Sequence, residues 1–185
     1  WSFIGRGWMR RWSCGCPLEE TQDEGIGTWG DAAMTLKLLA GADLHLGRRP
    51  SRLPELLTDR VPARDLGPSG AWARLVDLAL EEQVDAVLLA GDVVEGESDF
   101  FEAFAELRSG VLRLLEGDIR VLAVAGNHDT KVLPYLADEL EGFELLGRGG
   151  SWETVSLGGG GEEATVWGGS FPRPAVRDDP GTGQA

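Results

Sequence analysis

The chain has 185 residues, with 17 Lys plus Arg against 31 Asp plus Glu and a formal net charge of -14. A hydrophobic content of 42% is enough for one packed core and excludes an intrinsically disordered chain. The apolar runs fall far short of the roughly 18 residues that span a bilayer, and the acidity excludes a protein that grips nucleic acid by blanket positive charge.

Residues 1–33 hold four of the seven tryptophans (Trp1, Trp8, Trp12 and Trp29) without helical or strand periodicity. Arg6, Arg10 and Arg11 interrupt any apolar stretch that would serve as a secretory signal. Cys14 and Cys16 are the chain's two cysteines, too few and too close for a disulfide framework. They suit a reducing cytoplasm, and two thiolates fall short of the four ligands of structural zinc. Gly25, Gly27 and Gly30 match the spacing of a dinucleotide-binding turn. That turn must follow a strand and open a helix, and here it precedes a strand, so the match is accidental. Met34 stands directly before the first apolar run. Residues 1–33 are therefore expected to be a non-native or disordered extension, 34–172 the N-terminal part of a domain, and 173–185 a truncated loop.

Residues 36–40, 86–90 and 121–125 are short apolar runs of the kind buried on both faces of a sheet. Helical patterns separate them. Trp72, Leu75, Val76, Ala79 and Leu80 share one face after Ser69 as the expected cap. Phe100, Phe104, Leu107, Val111 and Leu114 repeat at helical spacing between Ser98 and Gly117. A third helix is expected over 132–141, ending at Gly142. Strands alternating with helices predict a parallel sheet with right-handed crossovers. After Gly142 the pattern changes to short strands at 143–146, 152–157 and 164–167, which read as the start of a second sheet with hairpins. The glycine run 158–161 lacks a following Lys-Ser or Lys-Thr and is a turn, not a phosphate loop.

Each of the three apolar runs ends in a small residue and then polar groups. The first leads to Asp43 and His45, the second to Gly91 and Asp92, and the third to Gly126, Asn127, His128 and Asp129. The chain's single asparagine and both of its histidines lie in these motifs. In open parallel sheets ligands bind outside the carboxyl ends of the strands, so these side chains are expected to converge. Mixed carboxylate, imidazole and amide donors suit manganese, iron or zinc. Any one of the three motifs is ordinary turn chemistry, but all three at successive strand ends predict a metal site.

These motifs resemble those of the calcineurin-like metallophosphoesterases. More narrowly, residues 42–47, 124–129 and 168–172 resemble the SbcD-type DNA-repair exonucleases. The resemblance implies an α/β fold, a four-layer α/β/β/α sandwich of which the second sheet is incomplete here. It implies two divalent ions, with manganese expected and iron or zinc as alternatives. Asp43 and His45 would bind the first ion, Asp92 would bridge both, and Asn127 would bind the second. A bridging anion is physically required, since cations about 3.5–4 Å apart repel each other. His128 would act as a catalytic group at the phosphate, with Asp129 or a nearby carboxylate orienting its ring. The family also has a further histidine and a Gly-His-x-His pair downstream, and no histidine follows His128 here. The expectation is a fragment that binds at most one ion tightly and turns over negligibly alone.

The function so implied is metal-dependent phosphodiester hydrolysis by a cytoplasmic DNA exonuclease subunit in double-strand-break repair. Its partners would be DNA and an SbcC-type ATPase, with a homodimer as a compatible assembly and no membrane association. Arg48, Arg49, Arg52, Arg60 and Arg64 would supply a basic loop for DNA. Two alternatives stay open. One is a phosphoesterase of the same superfamily acting on a small phosphate ester or cyclic nucleotide. The other is a catalytically incomplete interaction module presenting Phe100, Phe101 and Phe104.

Overall fold

The computed structural model describes residues 36–48, 63–95, 100–158 and 163–175. The expectations placed on 1–33, Ser98, the turn at 158–161 beyond Gly158, and Arg49, Arg52 and Arg60, together with the side chain of Arg64, lie outside the described residues. So do the side chains of Phe100 and Phe101.

Four strands form one parallel sheet in sequential order: β1 (Leu38–Gly41), β2 (Ala86–Ala90), β3 (Arg120–Val124) and β4 (Phe143–Leu145). The helices α1 (Pro68–Glu81), α2 (Phe100–Glu116) and α3 (Val132–Glu139) make the crossovers. Three crossovers in one direction, all right-handed, stack all three helices on the same face of the sheet. Period-2 alternation of the strands confirms this. Leu39, Val87, Leu89, Val121, Ala123, Phe143 and Leu145 join the core that holds the helices. Ala86, Leu88, Leu122 and Val124 point the other way, against Val155, Leu157 and Val166. Those last three belong to an antiparallel hairpin, β5 (Trp152–Gly158) with β6 (Glu163–Gly169). Among the described residues the layers are therefore helices, parallel sheet and hairpin, three of the four expected.

Two expectations are corrected. Residues 143–146 do not begin the second sheet; β4 pairs in parallel with β3. The eight-residue α3 is long enough to carry the chain back over the sheet, and Phe143 and Leu145 continue its helix-facing side. Ser69 does not cap α1. The helix starts after Gly67 with Pro68 in its first turn, where the missing amide costs no hydrogen bond, and the Ser69 hydroxyl donates to Glu106 Oε2 at 2.8 Å. The helices pack closely because Gly110 on α2 leaves room for the Trp72 indole of α1: a Cβ there would meet ring atoms at 2.5 and 2.6 Å. The indole nitrogen donates to the Glu106 carbonyl at 3.1 Å. Phe104 is half-buried and stacks at a tilt on Tyr135 of α3, 5.3 Å between centroids.

The hairpin is tied to the parallel sheet by polar contacts as well. Arg120 holds both carboxylate oxygens of Glu144, at 3.0 and 2.9 Å, and donates to the Ser156 carbonyl of β5 at 2.9 Å. Past β6 the buried Ser170 hydroxyl accepts from the Ala125 amide at 2.9 Å and donates to the Leu146 carbonyl at 2.5 Å. The Phe171 amide reaches the Ala125 carbonyl at 2.9 Å. The segment after β6 thus takes the place beside β3 that β4 vacates, and braces the loop carrying Asn127 and His128. No helix among the described residues is long and apolar enough to cross a membrane.

Candidate metal centre

The chain turns abruptly at the ends of β1 and β2. Asp43 (φ 59°), His45 (φ 51°) and Asp92 (φ 50°) all lie in the left-handed backbone region. Such conformations cost non-glycine residues on the order of 1–3 kcal/mol each and persist only where the surroundings enforce them. Here the enforcement is a backbone ladder between the two loops. The amides of Asp43, His45 and Leu46 donate to the carbonyls of Gly91, Asp92 and Val93 at 3.0, 2.9 and 2.8 Å, and Glu95 donates back to Leu46 at 2.8 Å. Leu46 and Val94, both fully buried, form a parallel bridge beyond the end of the sheet.

The loop after β3 closes on the same place. Gly91 (φ 79°) and Gly126 let two backbones meet: a Cβ on Gly91 would stand 3.2 Å from the Gly126 Cα. The His128 amide donates to Asp92 Oδ1 at 3.1 Å. Asp129 has no exposed surface and accepts from the Val93 amide through Oδ2 at 2.7 Å. Burial raises its carboxyl above the ordinary carboxylate value, with the Asp92 charge adding to the effect and the Val93 and Gly126 amides opposing it.

The structure brings Asp43, His45 and Asp92 together, each offering a donor atom within 4.8 Å of the others. His45 Nε2 stands 2.8 Å from Asp43 Oδ1. Asn127, half-buried, follows Gly126 on the neighbouring loop and brings an amide to the same end of the sheet. His128 is exposed, and its ring meets His45 edge-on with centroids 5.1 Å apart. Asp129 points inward to the Val93 amide. The carboxylate beside the imidazoles is that of Glu95, which groups with His45 and His128 within the same 4.8 Å limit. Glu95 did not stand out in the sequence. Its only signal there is an acidic residue three places after Asp92, and it gains meaning once the Leu46–Val94 bridge sets it beside His45.

These residues fit divalent metal ions. The donor set is carboxylate, imidazole and amide, the mixture that suits manganese, iron or zinc. Three left-handed residues are held in strain at the one place where these donors converge. The buried His45 Nδ1 lies against the Glu95 carboxylate, which turns the other ring nitrogen toward Asp43. Asp43 and Asp92 bring two carboxylates to one histidine, with Asp129 also feeling the Asp92 charge, and a cation relieves that repulsion.

Comparison with known proteins agrees with this chemistry. The chain is 32% identical over 114 residues to the DNA double-strand break repair protein Mre11 of Aeropyrum pernix, covering 58% of this chain and 26% of that protein. It is 33% identical over 97 residues to the uncharacterized metallophosphoesterase YhaO of Bacillus subtilis, covering 51% of this chain and 23% of that one. The matches thus span about a quarter of each relative's length. A crystal structure of the Pseudomonas putida nuclease MPE overlays with a TM-score of 0.41 at 19% identity, covering 59% of this chain and 46% of its own. The pattern of the calcineurin-like phosphoesterases runs through residues 36–180. Because that stretch takes in every strand and helix from β1 through β6, the chain belongs to the calcineurin-like phosphoesterase family.

Proposed function

We propose that the protein is a metal-dependent phosphodiesterase that acts on DNA as the nuclease subunit of a cytoplasmic double-strand-break repair assembly, with an SbcC-type ATPase as its partner. The observation that carries the reading is the convergence of Asp43, His45 and Asp92 at adjacent strand ends in a chain of this family. The Mre11 relatives at 30–32% identity support DNA as the substrate. Asp43 and His45 would hold the first ion, Asn127 the second, and Asp92 would serve both. Manganese is the expected metal. When bound, the ions supply Lewis-acid neutralisation of phosphate charge and activation of the attacking water.

The protein's own part is placement and proton handling. The ladder between the β1 and β2 loops fixes Asp43, His45 and Asp92 before substrate arrives, so little reorganisation is needed on binding. His128 is anchored through its backbone amide on Asp92 Oδ1, which leaves its exposed ring to face the phosphate. The imidazole stabilises charge developing on the phosphoryl oxygens and donates a proton to the leaving oxygen.

Two measurements test this reading. In a protein that also carries the family's downstream histidine motifs, linear double-stranded DNA should be degraded with added Mn2+ and spared in a chelator. Turnover confined to small phosphate esters, with DNA untouched, would favour the small-ester alternative, which the net charge of -14 also favours. His128→Asn should leave metal content intact, because its anchor is the backbone amide, and slow turnover by roughly 10²–10⁴. Loss of metal in that variant would put His128 among the ligands instead.

A further inference from the structure

We infer that Glu95 is a positioning residue that fixes the tautomer and ring orientation of His45 at the metal centre. The inference rests on the reading of His45 as a metal ligand and adds to it a residue that reading does not contain.

A neutral imidazole carries its proton on one nitrogen and offers a lone pair on the other. His45 turns Nε2 toward Asp43 Oδ1, 2.8 Å away, on the side where Asp92 also presents a donor atom. Its Nδ1 lies against the Glu95 carboxylate. A carboxylate there holds a proton on Nδ1, so that a cation taking the place of any proton shared by Nε2 and Asp43 would meet the Nε2 lone pair between Asp43 and Asp92. A ligating histidine usually has such an outer partner, which sets its orientation and raises its basicity.

The backbone makes this pairing rigid. Glu95 is hydrogen-bonded through its amide to the Leu46 carbonyl, and His45 through its amide to the Asp92 carbonyl. Between them the Leu46–Val94 bridge is fully buried. Carboxylate and ring are thus carried on two loops that are bonded to each other on both sides of the contact. Neither His45 Nδ1 nor Glu95 Oε2 has a hydrogen-bond partner elsewhere, although both atoms are buried. Buried polar atoms without partners are rare, and here each supplies what the other lacks. The His45 side chain is 17% exposed, whereas His128 is exposed, so Glu95 serves the ring that water does not solvate.

The chain has only two histidines, so long-range proton–nitrogen NMR of the histidine-labelled full chain reads both rings directly, with His128→Asn assigning them. In the metal-free protein His45 is expected to carry a hydrogen-bonded proton on Nδ1, whatever Nε2 shares with Asp43. Glu95→Ala should lose that signature and weaken Mn2+ binding by about 10- to 100-fold, the range for lost outer partners. Glu95→Gln keeps an oxygen that accepts from Nδ1–H, and should hold the tautomer and most of the affinity. Circular dichroism and melting of both variants report whether they fold. An unchanged tautomer and unchanged Mn2+ affinity in folded Glu95→Ala would overturn the inference. Loss of one ion equivalent in both variants, with the tautomer kept, would also overturn it and make Glu95 a ligand. If the unsubstituted chain bound no Mn2+, the metal reading itself would fall, and the tautomer comparison would still decide the role of Glu95.

Discussion

Replacing Asp92 by Asn, in a protein that also carries the family's downstream histidine motifs, is expected to remove bound manganese and turnover together and to leave the fold intact. Asp92 sits at φ 50°, and asparagine tolerates the left-handed region at least as well as aspartate. The amide oxygen of the replacement still accepts from the His128 amide, now at Asp92 Oδ1. The substitution thus removes one charge and little else. That charge stands at the junction of all three loops, where under the proposed reading it would hold both ions, so its loss should exceed the roughly 10- to 100-fold that an outer partner costs in affinity. The metal-free variant should melt no lower than the unsubstituted chain, because Asp43 and the buried Asp129 lose a like-charged neighbour. Metal content after dialysis, DNA turnover and a metal-free melt check the three expectations. Wild-type manganese stoichiometry in Asp92→Asn would remove Asp92 from the ligand set.

Much of the scaffold was legible because parallel strands buried on both faces leave continuous apolar runs, and the three that carry ligands did so. The candidate residues Asp43, His45, Asp92, Asn127 and His128 were legible because strand ends in such sheets are where polar groups gather. What was not legible depends on tertiary placement. The three residues of β4 look the same whether they close a hairpin or follow a crossover, and only the return of α3 across the sheet decides it. Ser69 has the right chemistry for a cap, but the cap position falls two residues earlier, at Gly67, with Pro68 opening the helix. Asp129 looks like an orienting carboxylate by adjacency to His128, yet its side chain turns to the Val93 amide. Glu95 shows the limit most plainly. Nothing in the local run of residues 92–95 marks it, and its position beside His45 comes from one backbone bridge between residues far apart in the chain.

Gly126→Ala should be the substitution adding only a methyl group that most disturbs the metal centre. A Cβ at this position would overlap Asp92 Oδ1 and stand 2.5 Å from the Asp92 amide nitrogen and 2.7 Å from its Cγ. A side chain alone could rotate away, but the amide nitrogen belongs to backbone that the ladder to the β1 loop holds in place. Either the β2 loop or the β3 loop must shift. Overpacking of this kind costs typically about 1–3 kcal/mol, and the shift displaces Asp92, where a misplacement near 1 Å costs on the order of 10²-fold in rate. Gly149→Ala supplies the comparison. Gly149 has φ 74° with nothing within 4 Å of a Cβ, so alanine there is strained by about 1–2 kcal/mol without touching the metal centre. The two variants should lose similar stability by thermal melting, and only Gly126→Ala should lose manganese affinity. Equal affinity in both would mean that the close approach of Gly91 and Gly126 does not set the position of Asp92, and that the ladder to the β1 loop is enough on its own.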